Sequence, residues 1–262
     1  LGYKKTGLGK RVSLVMIKYM GKSSLGLGYA VAFSDLVLSP FMPSNTARSA
    51  GTIYPVASNI PLIFESTPEH EPRKLGAYIS WVAIATTCVT SSMFLTALAP
   101  NLLAVDLINK GTGHMVSWGA WASIMLPLMI PLFLLTPWLV YVVYPPTQKT
   151  SPEAPAWAAE ELKKLGGITS KELLMAGLAV VALALWIFSK DFGIDSTTTA
   201  ISIVSIMVLA NVITWDDVIS NKAAFNVLIW FASLVAMAAG LKKVGVLDWI
   251  GSSTEVYLSG MS

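Results

Sequence analysis

Hydrophobic residues in this chain come in long runs with few charges, and polar residues collect between the runs. Leu75–Ile108 forms one window with a single charge, Asp106. Trp118–Tyr144, Leu173–Phe188, Thr197–Trp215 and Ala223–Leu241 follow and carry no charge. A helix needs roughly 20 apolar residues to cross a bilayer, so each window predicts a spanning helix, the window 173–188 with help from its interfacial flanks. The pattern predicts an all-α polytopic membrane protein. Residues 8–20, LGKRVSLVMIKYM, are too short and too basic to cross and predict a helix lying along the membrane surface. Leu25–Phe64 is apolar at both ends and broken in the middle by PFMPSNTARSAG, residues 40 to 51. Two full crossings joined by a polar turn fit this segment. So does a re-entrant hairpin, whose irregular tip then needs a cavity or a protein lining at membrane depth.

These runs divide the chain into a basic end and interfacial helix (1–24), a hairpin with a Ser-Asn-Thr tip (25–64), a broken helix with its following span (75–144), a loop (145–172), three further spans (173–241) and a last segment (242–262). In the loop, Glu160, Glu161, Lys163 and Lys164 have helical pairing distances and predict a solvated helix, not a catalytic cluster. Thr169-Ser-Lys-Glu172 reads as a capping box that opens the next helix. Pro127, Pro131 and Pro137 predict bends in 118–144, and Trp81, Trp118, Trp121, Trp138, Trp215 and Trp249 include several belt residues near window ends.

Composition strengthens the membrane reading. Of 262 residues 54% are hydrophobic and 13% charged, against about 25% charged in soluble domains, and mean hydropathy is +0.64. The net charge of +3 is modest. Its uneven placement speaks to topology and not to nucleic acid. With a cytoplasmic start and five later crossings, Lys4, Lys5, Lys10, Arg11, Lys18, Lys22, Arg73, Lys74, Lys149, Lys163, Lys164, Lys171 and Lys222 share the cytoplasmic side. Lys110, Lys190, Lys242 and Lys243 face the other. That excess obeys the positive-inside rule, with the hairpin read either way. The single cysteine, Cys88, lies in an apolar run and reads as a buried small hydrophobe. His70 and His114 stand far apart without companion ligands, so no metal or cofactor is predicted.

A short pattern recurs. Gly2-Tyr-Lys4-Lys5-Thr-Gly7-Leu8 returns as Gly240-Leu-Lys242-Lys243-Val-Gly245-Val246, and the crossing count puts the copies on opposite faces. Inverted-topology repeats of this kind typify secondary transporters. The second copy stands about where a second hairpin would begin, and the chain starts at Leu1 and ends in SGMS, so it reads as the central fragment of a longer protein.

The chemistry sits at two polar breaks. In the first, Pro40 and Pro43 end an arm, and Ser44, Asn45 and Thr46 are N-cap residues for a helix starting near Ala47. A helix start offers free N–H groups and a positive dipole end to a carboxylate, and Arg48 adds a permanent cation within one turn. A water-exposed turn with an ordinary cap is the plain alternative. In the second break, TSSMFLTALAPN (90–101), Thr90, Ser91, Ser92 and Thr96 supply hydroxyls, and Pro100-Asn101 interrupts the helix. Either this is a proline kink, or an unwound helix faces a ligand with its hydroxyls, carbonyls and second-half N-terminus. Asp35, in AFSDLVL, reads as a proton or cation partner, or as an interfacial residue near the base of the arm.

SNTAR on a hairpin, followed at this spacing by SSMFLTALAPN, resembles the divalent anion:sodium symporter family. The likeness is closest to its antiporter branch of citrate–succinate and tartrate–succinate antiporters and plastid 2-oxoglutarate–malate translocators. The resemblance covers essentially the whole chain. It implies a homodimer in the cell (inner) membrane, each subunit having a scaffold part and a moving transport part. It also implies substrate carboxylates held by two Ser-Asn-Thr tips on inverted hairpins. Carried over, Ser44, Asn45 and Thr46 form the first signature, with Thr96, Pro100 and Asn101 in the neighbouring break. This chain contains no second Ser-Asn-Thr. Sodium-coupled members tend to carry Gly-Thr just before the proline of the second break, where carbonyls reach sodium. Here those places read Ala97-Leu98.

The expected substrate-binding set is therefore Ser44, Asn45, Thr46, Arg48, Thr96, Pro100 and Asn101, acting on di- or tricarboxylate anions. The expected activity is sodium-independent exchange, in which the Arg48 guanidinium supplies the charge that sodium supplies elsewhere and the anion offsets it. A sodium-coupled dicarboxylate symporter is the alternative. A channel or membrane enzyme fits less well, because Asp35, Arg48 and Cys88 make no catalytic constellation.

Overall fold

The computed structural model describes residues 1–194 and 196–259, so the last three residues of the segment 242–262 lie outside it, as do the side chains of Lys110 and Lys190. Among the described residues the regular structure is helical, with an isolated bridge between Ser23 and Thr150. The chain forms two compact units, Leu1–Ile213 and a second that begins at Thr214.

The first unit opens with α1 (Gly2–Thr6) and α2 (Leu8–Met20), joined at Gly7 with φ +82°. That left-handed turn is open to glycine at little cost, and it redirects the chain in one residue. α2 is the amphipathic helix expected of residues 8–20, burying Leu14 and Ile17. Its Gly9 lets the Thr52 methyl come within 2.3 Å of where a Cβ would stand, so α2 lies directly under the hairpin.

The hairpin begins with α3 (Ser24–Leu38), capped by the Ser23 side chain. A 3-10 turn (Ser39–Phe41) follows, then a π-helix (Thr46–Ile53) and two short helices, α4 (Tyr54–Ala57) and α5 (Asn59–Ile63). Next come α6 (Gly76–Met93), a 3-10 turn (Leu95–Ala97), α7 (Ala99–Thr112) and the long α8 (Trp118–Val143). The window expected at 75–108 is thus two helices with Phe94 and Leu98 extended between them. The 15 residues of α3 reach about 22 Å at 1.5 Å per residue, short of the roughly 30 Å hydrocarbon core. The chain then turns back, and the turn packs against the break between α6 and α7. With that 3-10 turn included, Ser24–Phe41 is 18 residues, long and apolar enough to count as a candidate span, so this turn-back fits a re-entrant hairpin and a crossing one alike.

α3 is wrapped by protein. The Tyr78 hydroxyl packs where a Cβ of Gly28 would stand while donating to the Pro137 carbonyl, and Ala32, Met93 and Phe133 from α3, α6 and α8 form a common core. Phe33 meets Phe133 edge to face at 5.2 Å. α8 differs, since Ile124, Leu128, Leu132, Leu135 and Leu139 are exposed, as suits an element facing lipid. Its three prolines lie inside one continuous helix.

The remaining helices of this unit are α9 (Glu153–Leu165), α10 (Ser170–Ile187), α11 (Ser189–Phe192) and α12 (Ser196–Leu209). α9 packs along α2 through the buried Ala154 and Ala158, and Lys10 pairs with Glu161 at 3.1 Å. Arg11 holds Glu172 at 2.8 Å and donates to the carbonyls of Gly166 and Gly167. The loop thus holds the expected helix, with Glu160, Lys163 and Lys164 exposed and Lys164 paired to Glu161 at 2.7 Å, while its opposite face is buried against α2. The Thr169–Glu172 capping box is present. α12 ends at Leu209, short of the expected Trp215, because Asn211 turns the chain at φ +53° and Val212 and Ile213 bury themselves.

In the second unit α13 (Trp215–Ile219) precedes α14 (Lys222–Lys243) and α15 (Val246–Ser259). α14 joins α15 through Gly245 at φ +80°. Each copy of the G-x-K-K-x-G pattern therefore does the same thing: a helix carries the lysine pair, a left-handed glycine follows, and a new helix starts at the next residue.

Three side chains sit elsewhere than expected. Cys88 is exposed, not buried as expected. Trp118 is buried, not a belt residue, and its indole N–H donates to Thr96. Asp35 lies within the last turn of α3 before the tip, not at the base of the arm, and is 1% exposed.

Candidate functional site

The site is built where the hairpin tip meets the α6–α7 break. Pro40 and Pro43 remove two backbone donors, so α-helical pairing stops after Leu38 and a looser geometry takes over. The second arm then starts as a π-helix at Thr46, one residue ahead of the expected α-helical start at Ala47. π-helical turns are rare and recur at functional sites. Asn45 Oδ1 accepts from Thr46 N at 2.8 Å, and Ser44 Oγ accepts from Ala47 N at 3.2 Å. The signature side chains thus cap the helix they introduce. Ser44 and Asn45 are half-buried and Thr46 is exposed, so the tip's polar groups are accessible.

Two residues further on, the environment reverses. Arg48 is 0% exposed. Its Nε donates to Asp35 Oδ1 at 3.1 Å, and Nη1 donates to the carbonyls of Met42 at 3.0 Å and Ala97 at 3.2 Å. Nη2 reaches the hydroxyls of Thr87, Thr90 and Ser91 at 3.1 to 3.3 Å. Thr90 in turn donates to Asp35 Oδ2. A buried cation persists only when it is paired and fully hydrogen-bonded, and this one meets a carboxylate, two carbonyls and three hydroxyls. The charge that the substrate was expected to offset is offset here by Asp35.

The break is tied to the tip independently of Arg48. Thr96 Oγ1 donates to the Pro40 carbonyl at 2.6 Å and accepts from Trp118 Nε1 at 3.2 Å. Asn101 Nδ2 donates to the carbonyls of Ser91 and Phe94 at 2.7 and 3.1 Å, satisfying acceptors that the break sets free. Pro100 is exposed at the first turn of α7, where its missing N–H costs nothing.

Of the seven expected site residues, then, Ser44, Asn45, Thr46 and Pro100 present accessible atoms. Arg48, Thr96 and Asn101 bond within the protein: the first two hold tip and break together, and Asn101 bridges the break itself. The sequence reading missed Thr87 and gave Asp35 no partner. Thr86, Thr87, Thr90 and Ser91 recur at helical spacing as a hydroxyl stripe along α6, a pattern by which Thr87 could have been found. Two clefts of about 370 and 460 Å³ lie beside the second arm, the first lined by Lys4, Lys10, Thr52, Asn59, Trp157 and Glu161 among others. Neither is lined by the signature residues.

Comparison with known proteins bears on this geometry. The family described as the sodium:sulfate symporter transmembrane region matches residues 1–262. The L-tartrate/succinate antiporter of Escherichia coli (strain K12) is 49% identical over all 262 residues of this chain, which cover 54% of that protein. Antiporters of the same name from Shigella sonnei (strain Ss046) and Shigella flexneri match to the same degree. The chain thus spans about half the length of the curated relatives it matches. A family match from the first residue to the last, in a chain whose Ser-Asn-Thr hairpin docks at a broken helix, makes this chain a member of the sodium:sulfate symporter transmembrane-region family.

Proposed function

We propose that the protein containing this chain is a secondary carrier that exchanges di- or tricarboxylate anions across the cell (inner) membrane without sodium. It works as a homodimer whose transport part, built on the hairpin and the broken helix, moves against a scaffold in an elevator-like motion. The observation that carries the sodium-free reading is the bond from Arg48 Nη1 to the Ala97 carbonyl. The family resemblance implies that carbonyls at this break reach sodium in coupled members. Here a fixed guanidinium takes that carbonyl, so the tip and the break are joined by a cation that never leaves.

The substrate's carboxylate is then left to the tip. Ser44 Oγ and Asn45 Oδ1 occupy the N–H groups of Ala47 and Thr46 in this structure. A carboxylate carries acceptor oxygens of greater strength. It takes over those N–H groups at the start of the π-helix, and the released Ser44 and Asn45 side chains, with Thr46, complete the contact. The 49% identity to proteins named L-tartrate/succinate antiporters supports small dicarboxylates as the exchanged pair.

The test uses the full-length protein in proteoliposomes kept free of sodium. Labelled succinate entering only those vesicles preloaded with unlabelled dicarboxylate is the expected result. The family description also names sodium, which favours a symporter as the second reading. Uptake that begins only when an inward sodium gradient is applied, in empty vesicles, would assign the protein there and overturn exchange.

A further inference from the structure

We infer that Asp35 is a positioning residue for transport: through Arg48 it locks the hairpin tip to the α6–α7 break and makes that joint electrically neutral. The inference rests on the carrier reading above and adds a residue and a charge balance to it.

The planar Arg48 guanidinium presents three edges, each to a different part of the site. Nε points at Asp35 on α3, Nη1 bridges the Met42 carbonyl of the tip and the Ala97 carbonyl of the break, and Nη2 faces the α6 hydroxyls. A planar fork has no independent freedom among its edges. Fixing Nε against the Asp35 carboxylate therefore fixes where Nη1 can reach. Asp35 is itself held from a second direction by Thr90. Among the described residues it is the one carboxylate paired with Arg48, and both groups are out of reach of water. Asp35 thus decides the distance between the two polar breaks without touching the solvent side of the tip.

Its charge matters as much as its position. Arg48 stands two residues from Thr46, and a lone cation so close to the carboxylate site would tighten a bound dianion. On the empty site it would also raise the barrier to crossing a low-dielectric layer. Paired with Asp35, the joint adds no net charge to the moving part, so the charge that crosses is the substrate's own. A pair that merely stabilised the fold would give a different signature. Its loss would lower the amount of folded protein and leave each folded molecule with unchanged kinetics.

The experiment compares wild type, Asp35→Asn, Asp35→Glu and the double variant Asp35→Asn with Arg48→Gln, each as full-length protein. Succinate exchange in sodium-free proteoliposomes is normalised to folded protein, and thermal unfolding is followed in detergent. Asp35→Asn is expected to lower the maximal exchange rate at least tenfold while KM for succinate falls severalfold. A falling KM with a falling rate marks a substrate held too tightly. Asp35→Glu is expected to restore most of the rate. The double variant is expected to recover the Tm lost in Asp35→Asn, because the uncompensated cation is gone, but not the exchange rate. Wild-type rate and KM per folded molecule in Asp35→Asn, or wild-type exchange in the double variant, would overturn the inference. Should Asp35→Asn not fold, the double variant and Asp35→Glu decide: the inference survives only if the former folds without exchanging and the latter exchanges. Wild type without exchange would remove the carrier reading first, whereas exchange in wild type with an indifferent Asp35 removes this inference alone.

Discussion

Ser44-Asn45-Thr46 and Arg48 are almost adjacent in sequence and live in opposite environments. The signature is accessible and caps its own helix with side chains that a ligand can displace. Arg48 is sealed, with every edge of its guanidinium bonded to protein. The π-helix separates them, since its wider turn aims residues so near each other in different directions. One short stretch therefore holds a part that exchanges partners and a part that must not. Binding and joining are distinct tasks, and variants at the two positions should fail in distinct ways.

The largest effect is expected where the sealed part is opened. Arg48→Ala leaves Asp35 buried without its counter-ion, a change that costs about 3–5 kcal/mol in buried pairs. Sodium-free exchange is expected to vanish and to return only when a monovalent cation is supplied to the oxygen-lined gap. Succinate exchange with and without sodium checks this, and unchanged kinetics would refute the role given to Arg48. Asn45→Ala should damage the open part alone. KM for succinate should rise about tenfold, which is about 1.4 kcal/mol, while thermal stability shifts within the range of a lost cap, about 0.5–2 kcal/mol. Thr96→Val tests the second tie between tip and break. It deletes the bond to Pro40 and orphans the Trp118 N–H, so stability should drop by about 1–3 kcal/mol. An unfolding curve in detergent measures it.

The smallest effect lies outside the comparison, at the contact between α2 and α9. Hydrogen bonds from Lys164 and Lys10, in that order, hold the Glu161 carboxyl below the ordinary carboxylate range. A depressed carboxylate contributes stability above its unfolded pKa and loses it as pH falls through the folded one. The α2–α9 contact should therefore weaken only in acid. Glu161→Gln should erase that pH dependence with little change at neutral pH, and added salt should mimic the variant. Unfolding temperature against pH at low and high salt reads both.

Much of this molecule was legible because the bilayer restricts backbone so severely. Apolar run lengths placed α8, α10 and α14, since lipid offers a backbone nothing to bond to and helices must satisfy themselves. Pro40, Pro43 and Pro100 located the breaks by removing donors. Gly7 and Gly245 marked one turn twice, because a left-handed residue without a Cβ costs little. Helix ends were less legible: nothing in Thr197–Trp215 announces that the chain turns at Asn211, since burial of Val212 and Ile213 is a tertiary matter. The same holds for Cys88 and Trp118, whose faces depend on which neighbour each helix meets.

The sequence by itself determined that a cation and a Ser-Asn-Thr cap share one polar break, and that hydroxyls line a second. Only the tertiary structure decided which of these groups stay open. Burial of a charge depends on what converges on it, and Asp35, Met42, Thr87, Thr90 and Ala97 come to Arg48 from α3, the tip, α6 and the break. No local pattern encodes that convergence, because a guanidinium is satisfied by oxygens wherever in the chain they originate.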